Sequence, residues 1–123
     1  MTNQSKLTSK QIASFYRLTL SIYENTQKFY GTFLGVDPDF DNYQNYLGWC
    51  IKYRSKEIFL QWLRDNKLNI KVSNKIYWMF YNCVISHFYL EKIHQANEIQ
   101  YWEQYFIDMH QEMFDAINKK IGS

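Results

Sequence analysis

Glycine and proline are scarce in this sequence, with four glycines and one proline among 123 residues. Tight β-hairpins and long loops depend on these residues, because glycine adopts positive φ angles and proline fixes the geometry of turns. Their scarcity therefore disfavours an all-β fold. The chain length suits one hydrophobic core, so we expect residues 1–123 to form a single domain.

Cysteines and long apolar runs are also few. Cys50 and Cys83 are too few for a disulfide framework, and the first ten residues lack the apolar run of a secretory signal. We therefore expect reduced thiols in a cytoplasmic protein. The longest uncharged stretch, Ile76 to Leu90, is shorter than the roughly 20 apolar residues that span a bilayer. This pattern predicts a soluble protein with no membrane partner.

Motifs of common catalytic mechanisms are absent from the sequence, which contains no phosphate-binding loop, no dinucleotide-binding glycine motif and no HExxH. Cys83 and His87 are one helical turn apart, a spacing at which a histidine can lower the pKa of a thiol. No glycine-rich turn accompanies them to form an oxyanion hole. We therefore expect a protein that is not an enzyme, with no catalytic residue and no cofactor.

Aromatic residues, by contrast, make up 20% of the chain, and many follow a helical period. Thr8 and Gln11 have the spacing of a capping box, which predicts the start of the first helix. Gly35 suits a C-terminal cap for the same helix. Between them, spacings of three and four residues indicate one buried face, formed by Ile12, Phe15, Thr19, Ile22, Thr26, Phe29 and Phe33.

Two further helices are predicted in the middle of the chain. Asp37 and Pro38 have the pattern of an N-cap and a first helical position, beginning a helix that runs to about Tyr53. Ser55 is the predicted cap of the next helix, which we expect to end at Asp65-Asn66 because asparagine tolerates left-handed backbone. The following segment alternates apolar and polar residues without a partner strand, so we interpret it as an extended connector containing Leu68, Ile70 and Val72.

The C-terminal third carries one apolar register from Trp78 to Ala116 without a slip. This pattern predicts one long helix, approximately residues 74–118, or two nearly collinear helices with a break near Ala96-Asn97. Residues 76–90 are apolar nearly all round, so the first half should be the central buried element. The prediction for the whole chain is an all-α, single-domain helical bundle of about four helices.

The same helix carries potential metal ligands at helical spacing, namely Cys83, His87, Glu91 and His94. Zinc and iron sites need three or four ligands, and four spread along one straight helix cannot all reach one ion. A partner helix would have to add a ligand such as Glu24 or Cys50. Because the Glu-x-x-His motif of di-iron bundles occurs here only once, we prefer partly buried histidines that form hydrogen bonds, and no metal.

Charge is unevenly distributed along the chain. Residues 52–75 carry seven basic and two acidic residues, whereas residues 91–115 carry six acidic and one basic. The charges of the basic segment either face water or pair with the acidic helix within the fold, or they face an external partner. If that partner is a nucleic acid, the lysines would contact phosphates, and Tyr53 and Trp62 would stack on bases. The candidate partner-binding residues are Lys52, Tyr53, Arg54, Lys56, Trp62, Arg64, Lys67, Lys71 and Lys75.

Two functional hypotheses follow from composition and charge. The first is a non-enzymatic protein-interaction module, such as a small helical inhibitor, immunity factor or adaptor that docks on a larger protein or protein complex. Its support is the aromatic content, since tyrosine and tryptophan are enriched at interface hot spots, and such a surface would also allow homo-oligomers. The alternative is a small nucleic-acid-binding subunit of a ribonucleoprotein, which grips an RNA or DNA backbone through residues 52–75. No nucleic-acid-binding motif accompanies the basic segment, which favours the first hypothesis.

Overall fold

The computed structural model describes residues 4–34, 54–92 and 98–122. Four helices lie in these ranges: α1, Ser9–Leu34; α2, Ser55–Asp65; α3, Asn74–Lys92; and α4, Ile99–Ile121. No strand occurs in the same ranges, and the prediction of an all-α helical bundle is confirmed. The helix predicted between Pro38 and Tyr53, and the cap predicted at Gly35, lie outside the described residues.

Helix α1 begins with the predicted capping box. The Thr8 backbone N–H donates to Gln11 Oε1 at 3.0 Å, and the Gln11 N–H donates to Thr8 Oγ1 at 3.1 Å. These two bonds satisfy N–H groups that the first turn leaves unpaired. Four residues of the predicted inward face, Phe15, Thr19, Ile22 and Thr26, are buried, and Ile12 is partly buried. The side chains of Phe29 and Phe33 lie outside those described.

Helix α2 ends at Asp65, as predicted, but the left-handed residue is Lys67 and not Asn66. Lys67 has φ 57, whereas Asn66 has φ −93. The Lys67 N–H donates to the Arg64 carbonyl at 3.0 Å and the Leu68 N–H to the Leu63 carbonyl at 2.9 Å. This bond pair defines a Schellman motif with lysine at the position that glycine usually occupies. The following residues, 68–73, connect α2 to α3 and belong to neither a helix nor a strand.

The prediction of one long C-terminal helix, or of two collinear ones, is wrong. Helices α3 and α4 are antiparallel: the rings of Tyr89 and Trp102 lie 4.5 Å apart, while Cys83 Sγ donates to the Met109 carbonyl at 3.3 Å. Residues earlier in α3 therefore lie beside residues later in α4. An uninterrupted apolar period indicates which face of a helix is buried, but it does not indicate whether the chain reverses its direction. A helical hairpin and a single long helix can therefore have the same sequence pattern. Ala96-Asn97 lies outside the described residues.

Helix α3 is the central buried element, as predicted for this half of the segment. Its buried residues point in several directions around the helix and comprise Ile76, Phe80, Tyr81, Cys83, Val84, Ile85, Ser86, His87 and Phe88. The exception is Trp78, which belongs to the apolar register but has a relative exposure of 49%. A helix buried on nearly all sides needs neighbours on all sides, which places α3 at the middle of the bundle.

Residues from all four helices meet in an aromatic layer, which consists of Phe15, Phe59, Trp62, Phe80 and Phe114. Phe15, on α1, makes edge contacts with the other four rings at centroid distances of 5.3 to 6.4 Å. Phe59 and Phe80 stack at 4.5 Å. Offset and edge-to-face arrangements are the favourable geometries for aromatic pairs. The layer therefore packs α2 against α1 and α3, next to the polar site described below.

Candidate functional site

One helical turn after Phe15, the core becomes polar. Thr19 on α1, His87 on α3 and His110 on α4 form a cluster that we call the polar layer. Thr19 Oγ1 lies 2.7 Å from His87 Nε2 and 3.0 Å from His110 Nε2. All three side chains are buried. A single hydroxyl group therefore joins three helices.

The hydrogen bonds of the polar layer have a defined direction when both histidines are neutral. His110 Nδ1 lies 2.9 Å from the Phe106 carbonyl oxygen, which only accepts, so Nδ1 carries the proton and Nε2 is an acceptor. Thr19 must then donate its one proton to His110 Nε2. His87 Nε2 in turn donates to the Thr19 oxygen, because two lone pairs would otherwise face each other. A second acceptor for the hydroxyl, the Tyr16 carbonyl, lies 3.1 Å away.

Burial keeps both histidines neutral. Burial, with a smaller contribution from the neighbouring His110, lowers the pKa of His87 from 6.5 to about 3. Burial also lowers the pKa of His110 to about 4, against the opposing effect of the Phe106 carbonyl. A charged imidazole loses its hydration in such a site, and the one hydroxyl available does not replace it. Protonation of either ring is therefore unfavourable in the folded protein.

The polar layer is a buried crosslink between three helices. The Thr19 hydroxyl is fully buried and therefore not accessible to a substrate. His87 also packs edge-on against Phe106, with ring centroids 4.8 Å apart, and His110 stacks on Tyr16 at 4.6 Å. These contacts hold both imidazoles in place, so the hydrogen bonds specify how α1, α3 and α4 align.

The candidate metal ligands have separate partners in the structure. Cys83 donates its thiol proton to the Met109 carbonyl, and burial, with a smaller effect from Glu112, raises the pKa of this thiol. His87 belongs to the polar layer, Glu91 lies beside Tyr23, and His94 lies outside the described residues. Within the described ranges, no three histidine, cysteine, aspartate or glutamate side chains form a group that could hold a metal ion.

The proposed partner-binding segment has exposed cations, but one of its aromatic residues is buried. Trp62 belongs to the aromatic layer and donates its indole N–H to Ser14 Oγ at 2.9 Å. It therefore cannot stack on a nucleic-acid base, and that part of the prediction is wrong. Lys52 and Tyr53 lie outside the described residues. The remaining six side chains are exposed, namely Arg54, Lys56, Arg64, Lys67, Lys71 and Lys75.

These cations are not neutralised by the acidic helix α4. In the part of the chain that the structure describes, the one ion pair within 4 Å joins Arg54 to Glu57, at 3.8 Å. Lys56 lies over the ring of Tyr77, with Nζ 4.4 Å from the centroid. Two carboxylates of α4 accept hydrogen bonds from their own helix, Asp108 from Gln104 and Asp115 from Gln111. The charges of both regions therefore face outward.

Two features of the surface and core escaped the sequence interpretation. A threonine in an apolar helix face indicates a buried hydroxyl that needs a hydrogen-bond partner. Thr19 and Thr26 both carry this indication, but among the described residues only Thr19 has such a partner. His110 could be identified as that partner only once α3 and α4 were known to be antiparallel. Trp78 follows the buried register, and its exposure has no local signature in the sequence.

No helix within the described ranges is long and apolar enough to cross a membrane. Comparisons with protein-family models, with curated proteins and with solved structures found nothing that matches this chain. Arguments about function therefore rest on the exposed and buried groups of the chain itself.

Proposed function

We propose that the protein is a non-enzymatic interaction module, such as a small helical inhibitor, immunity factor or adaptor, that docks on an acidic surface of a larger protein. The observation that carries this proposal is the basic surface, defined as Arg54, Lys56, Arg64, Lys67, Lys71 and Lys75. These side chains are exposed, and none pairs with a carboxylate of α4. Exposed charge that is mainly of one sign accelerates and orients docking on a surface of the opposite sign.

An exposed aromatic side chain next to these cations adds support. Trp78 lies one turn after Lys75 on α3 and is half exposed. Residues three apart on a helix are neighbours, so the indole borders the basic surface. Tryptophan is among the residues most enriched at binding hot spots, where a large ring supplies contact area at little conformational cost.

The buried nucleophiles favour a binding role over a catalytic one. Burial raises the pKa of the Cys83 thiol, whereas reactive thiols have a lowered pKa and partial exposure. The Thr19 hydroxyl is fully buried between two histidines. Neither group is positioned to attack a substrate at the surface.

The alternative function is binding of an RNA or DNA backbone by the same lysines and arginines. Unpaired cations serve a phosphate backbone as well as an acidic protein surface. Burial of Trp62 removes one of the two rings proposed to stack on bases, which makes the protein partner the better-supported choice.

Affinity purification from the native host with charge-reversed baits tests this proposal. The test bait carries Lys67→Glu, Lys71→Glu and Lys75→Glu, and the control bait makes the same charge change with Lys6→Glu, Lys10→Glu and Arg17→Glu, all exposed outside the basic surface. We expect a stoichiometric protein partner with the wild type and the control, resistant to nuclease, and its loss with the test bait. Equal recovery with all three baits would exclude the basic surface. Recovery of nuclease-sensitive nucleic acid would support the alternative.

Lys67→Gly separates binding from folding. Lys67 has φ 57, a conformation that costs a non-glycine residue roughly 1–2 kcal/mol. Glycine should therefore raise the free energy of unfolding by about 1 kcal/mol in urea denaturation, while it removes one cation. If this more stable variant binds the partner more weakly, the loss of affinity is caused by the missing charge and not by unfolding.

A further inference from the structure

The start of α3 and the end of α4 form a groove of about 520 Å³. Sites for small organic ligands usually have volumes of several hundred cubic ångströms and mostly apolar walls. The floor of this groove is apolar and consists of Ile76, Met79 and Ala116. Ile76 is buried in the core, while Met79 and Ala116 are half-buried, so part of their surface is left for a ligand.

The rim of the groove is basic. Lys75 comes from α3, and Lys119 and Lys120 come from the last turn of α4. Lys75 and Lys119 are exposed and take part in no ion pair within the described ranges. Asp115 also lies on the rim, but its carboxylate accepts a hydrogen bond from Gln111 at 2.9 Å. Lys75 and Lys119, set against one hydrogen-bonded aspartate, leave the rim positively charged.

We propose that this groove binds a small amphipathic carboxylate, whose apolar chain lies on the floor and whose carboxylate faces Lys75 and Lys119. An apolar floor alone would accept any hydrophobic chain, and lysines alone would accept any anion. Their combination selects a molecule with both parts, because the chain buries apolar surface while the carboxylate stays beside cations and water. The site differs from the basic surface in its apolar floor and in Lys119 and Lys120, although Lys75 belongs to both.

Sodium decanoate, kept below its micelle-forming concentration, is a suitable probe for an NMR titration of the ¹⁵N-labelled protein. We expect saturable shifts of the backbone amides of residues 73–79 and 115–120. Acetate provides the anion without the chain, and decyltrimethylammonium provides the chain with the opposite charge. Both should bind at least about tenfold more weakly than decanoate if chain and carboxylate act together.

Charge reversal then locates the carboxylate. Lys119→Glu and Lys75→Glu should each weaken decanoate binding about tenfold, since each replaces an attraction by a repulsion. Lys10→Glu, an exposed change on α1 outside the groove, should bind like the wild type. Unchanged affinity in Lys119→Glu, equal binding of acetate, or shifts elsewhere in the protein would each overturn the proposal. Lys119 lies outside the basic surface, so a failure here does not affect the proposed partner binding.

Discussion

The aromatic layer and the polar layer are neighbours in one bundle, yet they hold the helices together in different ways. Phe15 and Thr19 are four residues apart on the same face of α1. Phe15 contacts four rings of the aromatic layer, whereas Thr19 forms hydrogen bonds with two histidines. Aromatic contacts remain favourable when the rings shift slightly. The two hydrogen bonds of a hydroxyl between imidazoles are lost unless the distances and angles stay within a narrow range. The aromatic layer thus contributes most of the stability, and the polar layer specifies the alignment.

Phe80→Ala should have the largest effect, because it removes a fully buried ring from the aromatic layer. Phe80 stacks on Phe59 at 4.5 Å and contacts Phe15 at 5.9 Å. Truncation of a buried phenylalanine typically costs about 3–5 kcal/mol, so urea denaturation should show a loss of that size. The half-exposed Trp78, two residues earlier, is the matched control, and Trp78→Ala should cost far less. Similar losses for the two variants would contradict the packing described for this layer.

The polar layer predicts acid destabilisation. Both histidines are neutral in the folded protein, whereas an unfolded histidine binds a proton below about pH 6.5. Below that pH the unfolded state binds more protons than the folded state. The free energy of unfolding is therefore fully retained above about pH 6.5, and it falls progressively as the pH decreases to the folded-state pKa values of about 3 and 4. Between pH 7 and 5 the loss should be about 2 kcal/mol for each histidine.

His87→Gln serves as the control for this pH dependence. The glutamine amide can donate to Thr19 in place of His87 Nε2, but it does not titrate. Urea denaturation at a series of pH values should show an acid slope about half that of the wild type. An unchanged slope would mean that other groups cause the acid destabilisation.

Substitution of valine for two threonines on α1 compares a bonded hydroxyl with an unbonded one. Thr19→Val leaves His87 and His110 without their shared partner, and an unsatisfied buried polar group costs about 1–3 kcal/mol. Thr26 lies seven residues later, is equally buried, and its hydroxyl has no hydrogen-bond partner in the described part of the structure. Thr26→Val should therefore be neutral or stabilising. Urea denaturation that ranks the two variants in the opposite order would contradict the polar layer.

A small loss of stability is expected when the hydrogen bond between the aromatic layer and Ser14 is removed. The Trp62 indole donates to Ser14 Oγ, and Ser14→Ala removes this acceptor. Because the bond is only partly buried, water can replace the lost acceptor, and the cost should be about 0.5–1.5 kcal/mol. Tryptophan fluorescence during urea denaturation would measure it. A loss as large as that of Phe80→Ala would mean that the aromatic layer also depends on hydrogen bonding.

The predictions that succeeded concern interactions between residues close in the chain. The capping box of Thr8 and Gln11 lies within one turn, and the end of α2 at Asp65 depends on the residues immediately around it. The buried face of α1 follows from a period of three and four residues. Such features depend on backbone geometry and side-chain chemistry within a few residues, so they are readable from the sequence.

Prediction failed where residues far apart in the chain meet. The apolar period of residues 74–118 is the same for a straight helix and for a hairpin, so the antiparallel packing of α3 and α4 was not foreseen. The pairing of His110 with Thr19, 91 residues apart, depends on that packing. The basic surface could be located from its charges, but burial of Trp62 and exposure of Trp78 could not.

Local chemistry therefore established the helices, their ends and their apolar faces, because hydrogen bonds and periodicity act over one or two turns. Long-range packing established which helix faces contact each other. The sequence does not select among them, because many pairings of similar aromatic faces would bury a comparable area. The histidines of α3 and α4 show the consequence. The spacing of His87 from Cys83, Glu91 and His94 permitted a metal site. Its position in the bundle instead made His87, together with His110, a hydrogen-bond partner of one threonine.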